Sequence, residues 1–267
     1  MNITINARTR IEKQSANITN WKENAEKAYN ERLLQSNCEK AMINGIKTPI
    51  VHVTKCAENN KLSGFDGINT TVKNNPICLQ RRAAALLNND LSCICLYCYA
   101  ESYNNYIPAT EKAGLYNQQI LTSHLLSEKE IAAIKINREN VRFEMFSDVS
   151  NVIQARNYIR IARYFKNRYF AVWSKNHGIW SKAFKLERGK PSNLIYVLSS
   201  VHIDRVDKIP QCIEKYVNYV FTVCSTNEIY ERLKAEYKGV KCAGIKCKTC
   251  LHCYRKGNAK FVFEMLR

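Results

Sequence analysis

Eight of the chain's twelve cysteines fall into two tight groups, Cys78, Cys93, Cys95 and Cys98, then Cys242, Cys247, Cys250 and Cys253. Thiols this close in sequence cannot all pair as disulfides, because a bridge holds its Cα atoms about 4.4–6.8 Å apart in a set orientation. A turn that offers several sulfurs to one point is what a metal ion or an iron–sulfur cluster requires. Cys95-x-x-Cys98 has the two-residue interval that both use. Cys247-x-x-Cys250-x-x-Cys253 repeats that interval as in runs that wrap a cubane cluster, and Cys242 would close the fourth corner. Tetrahedral zinc, held by ligand pairs from separate turns, is the alternative reading of the same thiols. Burial as small hydrophobic residues explains any one of them but not the spacing. His252 lies inside the second run and is expected to face away from it.

The elements that must position these sulfurs are legible further along. Val141–Phe146, Tyr169–Trp173, Leu194–Leu198 and Tyr219–Cys224 read as strands. Val152, Ala155, Ile159 and Ala162 recur at helical spacing, and Asn227–Lys238 reads as a helix. This alternation predicts an α/β fold with a parallel sheet, open or closed in part into a (β/α) barrel. Ligands of such sheets lie at the carboxyl ends of the strands. Ser147-Asp148, Ser174-Lys175, Ser199-Ser200 and Ser225-Thr226 all sit there, ringing one polar cavity, though serine is also an ordinary helix cap. Upstream, Asn20 caps a helix expected over Trp21–Ile43 and ended by Asn44-Gly45. Pro49–Val53 reads as a short strand, Lys61–Thr70 as turns, and Ala109–Leu126 as a helix after Pro108. Three segments follow: an N-terminal helical segment (1–60), an α/β core (61–240) and a C-terminal cysteine segment (241–267).

At 267 residues the chain is long enough for an ample core. No apolar run approaches the roughly 20 residues of a membrane helix, and Met1-Asn2-Ile3-Thr4 lacks a signal-peptide pattern. A cytoplasmic protein is expected, where thiols stay reduced and available to metal. The net charge of +18 points to an anionic partner such as nucleic acid or a nucleotide. Ten basic residues and one acid, Glu187, fall between Asn151 and Lys190, among Tyr158, Tyr164, Tyr169, Trp173 and Trp180. Cations would meet phosphates while rings stack bases. Arg156, Arg160 and Arg163 are expected to form an exposed ridge on one helix.

Tyr97-Cys98-Tyr99-Ala100, an aromatic before the last of three cysteines, resembles the cluster loop of radical S-adenosylmethionine (radical SAM) enzymes. There three cysteines hold three irons, and the fourth iron chelates the methionine part of S-adenosylmethionine (SAM). A closer resemblance is to phage-encoded proteins of the "gene product 88" type, over roughly Lys61 to the C-terminus. It is carried by Lys61-Leu62-Ser63-Gly64, Ile68-Asn69-Thr70, Asn75-Pro76-Ile77-Cys78 and Cys95-Leu96-Tyr97-Cys98-Tyr99-Ala100. Val141-Arg142-Phe143, Ser147-Asp148, Trp173-Ser174-Lys175 and Cys247–Tyr254 add to it.

The likeness implies a radical SAM-like partial barrel and one or two [4Fe–4S] clusters. Usual radical SAM loops space their cysteines by three and then two residues. Cys93-x-Cys95-x-x-Cys98 is shorter, which makes Cys78, Cys95 and Cys98 the implied ligands and Cys93 the reserve. Cys242, Cys247, Cys250 and Cys253 would hold an auxiliary cluster. Asp148 would stand in for the glycine-glycine-glutamate segment that holds the SAM amino group, with Ser147 and Tyr97 beside the cofactor. Ser174 or Lys175 would bind a polar or phosphate group of an unknown substrate. A non-catalytic, zinc-binding, nucleic-acid-binding protein is the alternative.

Overall fold

The computed structural model describes residues 40–58, 60–101, 108–242 and 244–266. Of the helix expected over Trp21–Ile43, only the last four residues are described, and they are extended. β1 (Lys40–Ile43) and β2 (Ile46–Pro49) form an antiparallel hairpin. Asn44-Gly45, taken above for a helix end, is its two-residue turn, with φ of 52° and 78°. Asn-Gly favours that turn because both central residues must be left-handed. The strand expected over Pro49–Val53 is displaced too, since Ile50–Val53 is irregular.

The remaining strands build one sheet of eight in the order β3-β4-β5-β6-β7-β8-β10-β9. β3 (Thr54–Lys55) runs antiparallel to β4 (Asp66–Ile68) at one edge. All other pairings, through β5 (Asn140–Phe143), β6 (Tyr169–Ser174), β7 (Leu194–Ser199) and β8 (Tyr219–Cys224), are parallel. β9 (Val240–Lys241) lies outside β10 (Phe261–Met265), so the C-terminal segment completes the sheet. The intervening helices are α1 (Pro76–Leu87), α2 (Pro108–Ser123), α3 (Glu128–Ala132), α4 (Val152–Tyr164), α5 (His177–Leu186) and α6 (Asn227–Tyr237). One turn, α7 (Cys247–Cys250), follows.

Alternation along each strand divides the sheet into two chemically different faces. On the outer face Phe143, Phe170, Val172, Leu194, Tyr196 and Leu198 pack under α2 to α5. Trp180 of α5 is fully buried there against Tyr158, Phe184 and Tyr196. The inner face presents Ala171, Ile195, Val197, Tyr219 and Val262, covered by Phe65, Tyr254 and the cysteines of the C-terminal segment. Strand β4 is short and close-packed: a Cβ on Gly67 would meet Met145 Cε at 2.1 Å.

The basic, aromatic stretch is divided between core and surface, with Tyr164 and Tyr169 exposed. Tyr158 and Trp180 are core residues, not stacking platforms. Arg156 and Arg163 converge on Glu187, Nε to Oε1 at 2.8 Å and Nη1 to Oε2 at 3.1 Å, so the expected ridge is partly neutralised by the one acid of the stretch.

Candidate metal and cofactor centre

Asn75 organises the first cysteine set. Its side chain accepts from the Ile77 and Cys78 N–H groups and caps α1, while Pro76 occupies the first helical position. Cys78 therefore stands in the first turn of a helix. The Asn75 amide also donates to Ser147 Oγ at 3.0 Å and to the Asp148 carbonyl at 2.5 Å, tying α1 to the loop after β5.

Asp148 continues this brace. Its carboxylate accepts from Ser174 Oγ at 2.5 Å, the Lys175 N–H at 2.8 Å and the Val149 N–H at 2.8 Å. Bonds to a charged group contribute about 1.5–3 kcal/mol each. The side chain is 5% exposed, and these donors join the carboxyl ends of β5 and β6. Arg81 of α1 donates to Asn176 at 2.8 Å, and Asn176 to the Val149 carbonyl at 2.7 Å.

The thiols lie against this rim. Burial pushes the Cys78 thiol well above its usual range, with Asp148, Cys95 and Cys98 adding to the effect. Cys95 goes the other way, down to about 6: the hydrogen bond with Cys93 dominates, and the Lys175 and Arg81 charges assist against burial and Asp148. Cys93 is pushed up by the same bond. It is buried beside Ala85 and Leu96 and forms a β-bridge with His202. Cys78 thus lies within electrostatic reach of Cys95, Cys98, Asp148 and Arg81, and Cys95 within reach of Lys175, Arg81 and Asp148.

Tyr97 does not join them, because its hydroxyl donates to the Leu91 carbonyl at 3.1 Å. Tyr99 was not singled out for a role, yet its hydroxyl crosses to the Met145 carbonyl. The remaining strand-end residues are bonded locally: Ser200 to Thr222 at 2.7 Å, Ser225 to Asp204 at 2.5 Å, and Thr226 caps α6.

The second set is gathered on the inner face. Cys242 follows β9, while Cys247 and Cys250 span the single turn α7. Leu251 then reverses the chain with φ of 53° and brings Cys253 back. Burial pushes Cys253 up to about 12, helped by Cys242, Cys247 and Cys250, so the other three thiols lie within electrostatic reach of Cys253. Lys61-Leu62-Ser63-Gly64 docks onto this loop through the Lys61 carbonyl, which accepts from the Cys247 N–H at 2.7 Å. Cys56, which the spacing gave no reason to include, packs beside the same set. His252 lies tilted against Tyr219, with 5.0 Å between ring centroids.

Among the described residues, no group of three or more Cys, His, Asp or Glu side chains is already arranged to hold a metal ion. The donor chemistry still fits one: both sets are all thiol, every member but Cys250 is at least partly buried, and cations lie beside each.

One buried acid at this end of the sheet was overlooked. Glu144 follows β5 with φ of 54°, which turns its side chain to the outer face. Strict alternation along β5 would instead place it on the face of Arg142. It accepts from the Thr70 N–H at 3.2 Å, Gln154 Nε2 at 2.6 Å and the Tyr158 hydroxyl.

Fold and site together define an α/β protein with a mostly parallel eight-stranded sheet and two thiol groups, one at the strand ends and one on the inner face. No protein-family model, curated protein or solved structure matches the chain. No helix among the described residues is long and apolar enough to cross a membrane.

Proposed function

We propose that this chain is an iron–sulfur protein of radical SAM-like architecture, akin to the phage gene product 88 type and at work in the host cytoplasm. The observation that carries the reading is the brace of Asn75, Asp148 and Lys175, which ties the helix carrying Cys78 and Arg81 to the carboxyl ends of β5 and β6, with Cys95 held below its usual pKa range by Cys93, Lys175 and Arg81 beside it. The sequential strand order from β4 to β8, with α2 to α5 on one face, is also what a partial (β/α) barrel requires.

Cys78, Cys95 and Cys98 would hold a [4Fe–4S] cluster, with Cys93 in reserve. When bound, that cluster supplies one-electron reductive cleavage of SAM, and the radical released takes hydrogen from a substrate. The chain's own residues hold the frame. Asn75 fixes the helix that carries Cys78. Asp148, engaged by Ser174, Lys175 and Val149, is assigned as a positioning residue that locks the two strand ends together. Lys175, which no ion pair among the described residues engages, would meet the SAM carboxylate, with Ser147 at the same rim. Arg81 and Lys175 offset the negative charge of the thiolates. The protein thus provides ligation, orientation and charge, and the cofactor provides the hard chemistry.

The test is anaerobic incubation of reduced, iron-loaded protein with SAM. 5′-Deoxyadenosine is the expected product, and Cys78→Ala should abolish it. A fully loaded, reduced protein that yields none would contradict the enzymatic reading.

A further inference from the structure

Two cations on the inner face play no part in the first thiol set. Lys61 donates from Nζ to Cys242 Sγ at 2.9 Å and to Glu264 Oε1 at 2.8 Å. Arg142 projects from β5 with its guanidinium 3.3 Å above the Trp173 ring, and Nε makes a 3.3 Å bond to the Phe143 carbonyl. A guanidinium has five N–H donors. Among the described residues Arg142 forms no ion pair, although it is half-buried. Such a charge needs an anion.

Trp173, which carries the Arg142 guanidinium, packs in one inner-face cluster with Tyr254, Cys56, Cys242, Cys247 and Cys253. Lys61 also touches Cys247, whose N–H donates to the Lys61 carbonyl at 2.7 Å. The acids nearby are Glu264, bonded to Lys61, and Asp66, whose Oδ2 accepts the Asn137 and Arg138 N–H groups. Two cations therefore bear on one thiol set.

We propose that Lys61 and Arg142 are the counter-cations of an iron–sulfur centre held by Cys242, Cys247, Cys250 and Cys253, and that they set its reduction potential. The inference rests on the iron–sulfur reading above and extends it from the ligands to the residues that tune them. A four-thiolate cluster is anionic, and each electron it accepts adds a negative charge. Nearby cations and N–H donors favour the reduced form, because net charge and hydrogen bonds to sulfur set cluster potentials. Lys61 supplies both through Cys242. Arg142 supplies charge beside Cys247 and Cys253, while Trp173 holds its plane.

The test uses the full chain carrying Cys98→Ala, so that only the C-terminal set keeps its centre. Protein reconstituted anaerobically with ferrous iron and sulfide is titrated with dithionite, the one-electron source, and read by electron paramagnetic resonance. Lys61→Met and Arg142→Gln should each move the reduction equilibrium about tenfold toward the oxidised form, a fall of about 59 mV for one electron. Lys61→Arg and Arg142→Lys keep the charge and should stay within about threefold of the parent. Potentials unchanged in Lys61→Met and Arg142→Gln overturn the inference and leave the iron–sulfur reading standing. A parent that takes up no iron overturns both. Loss of iron in Lys61→Met that Lys61→Arg restores supports the inference; loss in both makes Lys61 a folding residue and overturns its part.

Discussion

Cys98→Ala is expected to remove one iron–sulfur signal and leave the other, and Cys250→Ala to do the reverse. The two sets stand on different elements. Cys78 belongs to the first turn of α1, and Cys95 and Cys98 to the segment after it. The second set hangs between β9 and β10, where α7 and the left-handed Leu251 present its sulfurs. Cys250 is exposed, so its replacement leaves no core cavity and acts through metal alone. The loss should still lower stability, because centre formation and folding are coupled. Electron paramagnetic resonance of the reduced variants checks the allocation. Loss of all iron in either variant would mean that both sets serve a single site.

Stability should fall as pH rises from about 4.5 to 7, and Glu144 should account for much of the slope. Burial raises its carboxyl from the usual 4.5 to about 7, with Asp148 adding to the effect against the Tyr158 and Thr70 donors. Between those two values the native state binds a proton that the unfolded chain has released. The contribution is therefore full below the unfolded value and is lost as pH passes the folded one. At 1.36 kcal/mol per pKa unit it amounts to about 3 kcal/mol. Glu144→Gln does not titrate, so its urea midpoint should differ little between pH 5 and pH 7.5, while that of the parent drops. Parallel slopes in parent and variant would assign the proton elsewhere.

The regular part of the fold was legible because its strands are compact runs of β-branched and aromatic residues. Tyr219–Cys224 was read to the residue, and Leu194–Leu198 within one. What escaped notice had no such signal. β4 is three residues of Asp-Gly-Ile, held by close packing rather than propensity. α1 announces itself only through Asn75-Pro76, a cap followed by proline, which was noticed as part of a resemblance and not as a helix start. Phe261–Phe263 is apolar but too short to stand out beside the cysteines before it, so the place of β10 between β8 and β9 carries no local signal.

The site was legible in kind and partial in detail. Spacing picked out the thiols. It could not show that a left-handed Glu144 leaves Arg142 alone on the inner face, or that Lys61 crosses 181 positions to reach Cys242. Charge counting misled at Arg156 and Arg163, because the single acid Glu187 lies opposite both.

The most direct measurement is the iron, sulfide and zinc content of protein purified without oxygen. A chain with two iron–sulfur centres should be brown and carry more than one cluster's worth of iron and acid-labile sulfide. Stoichiometric zinc without iron would contradict it.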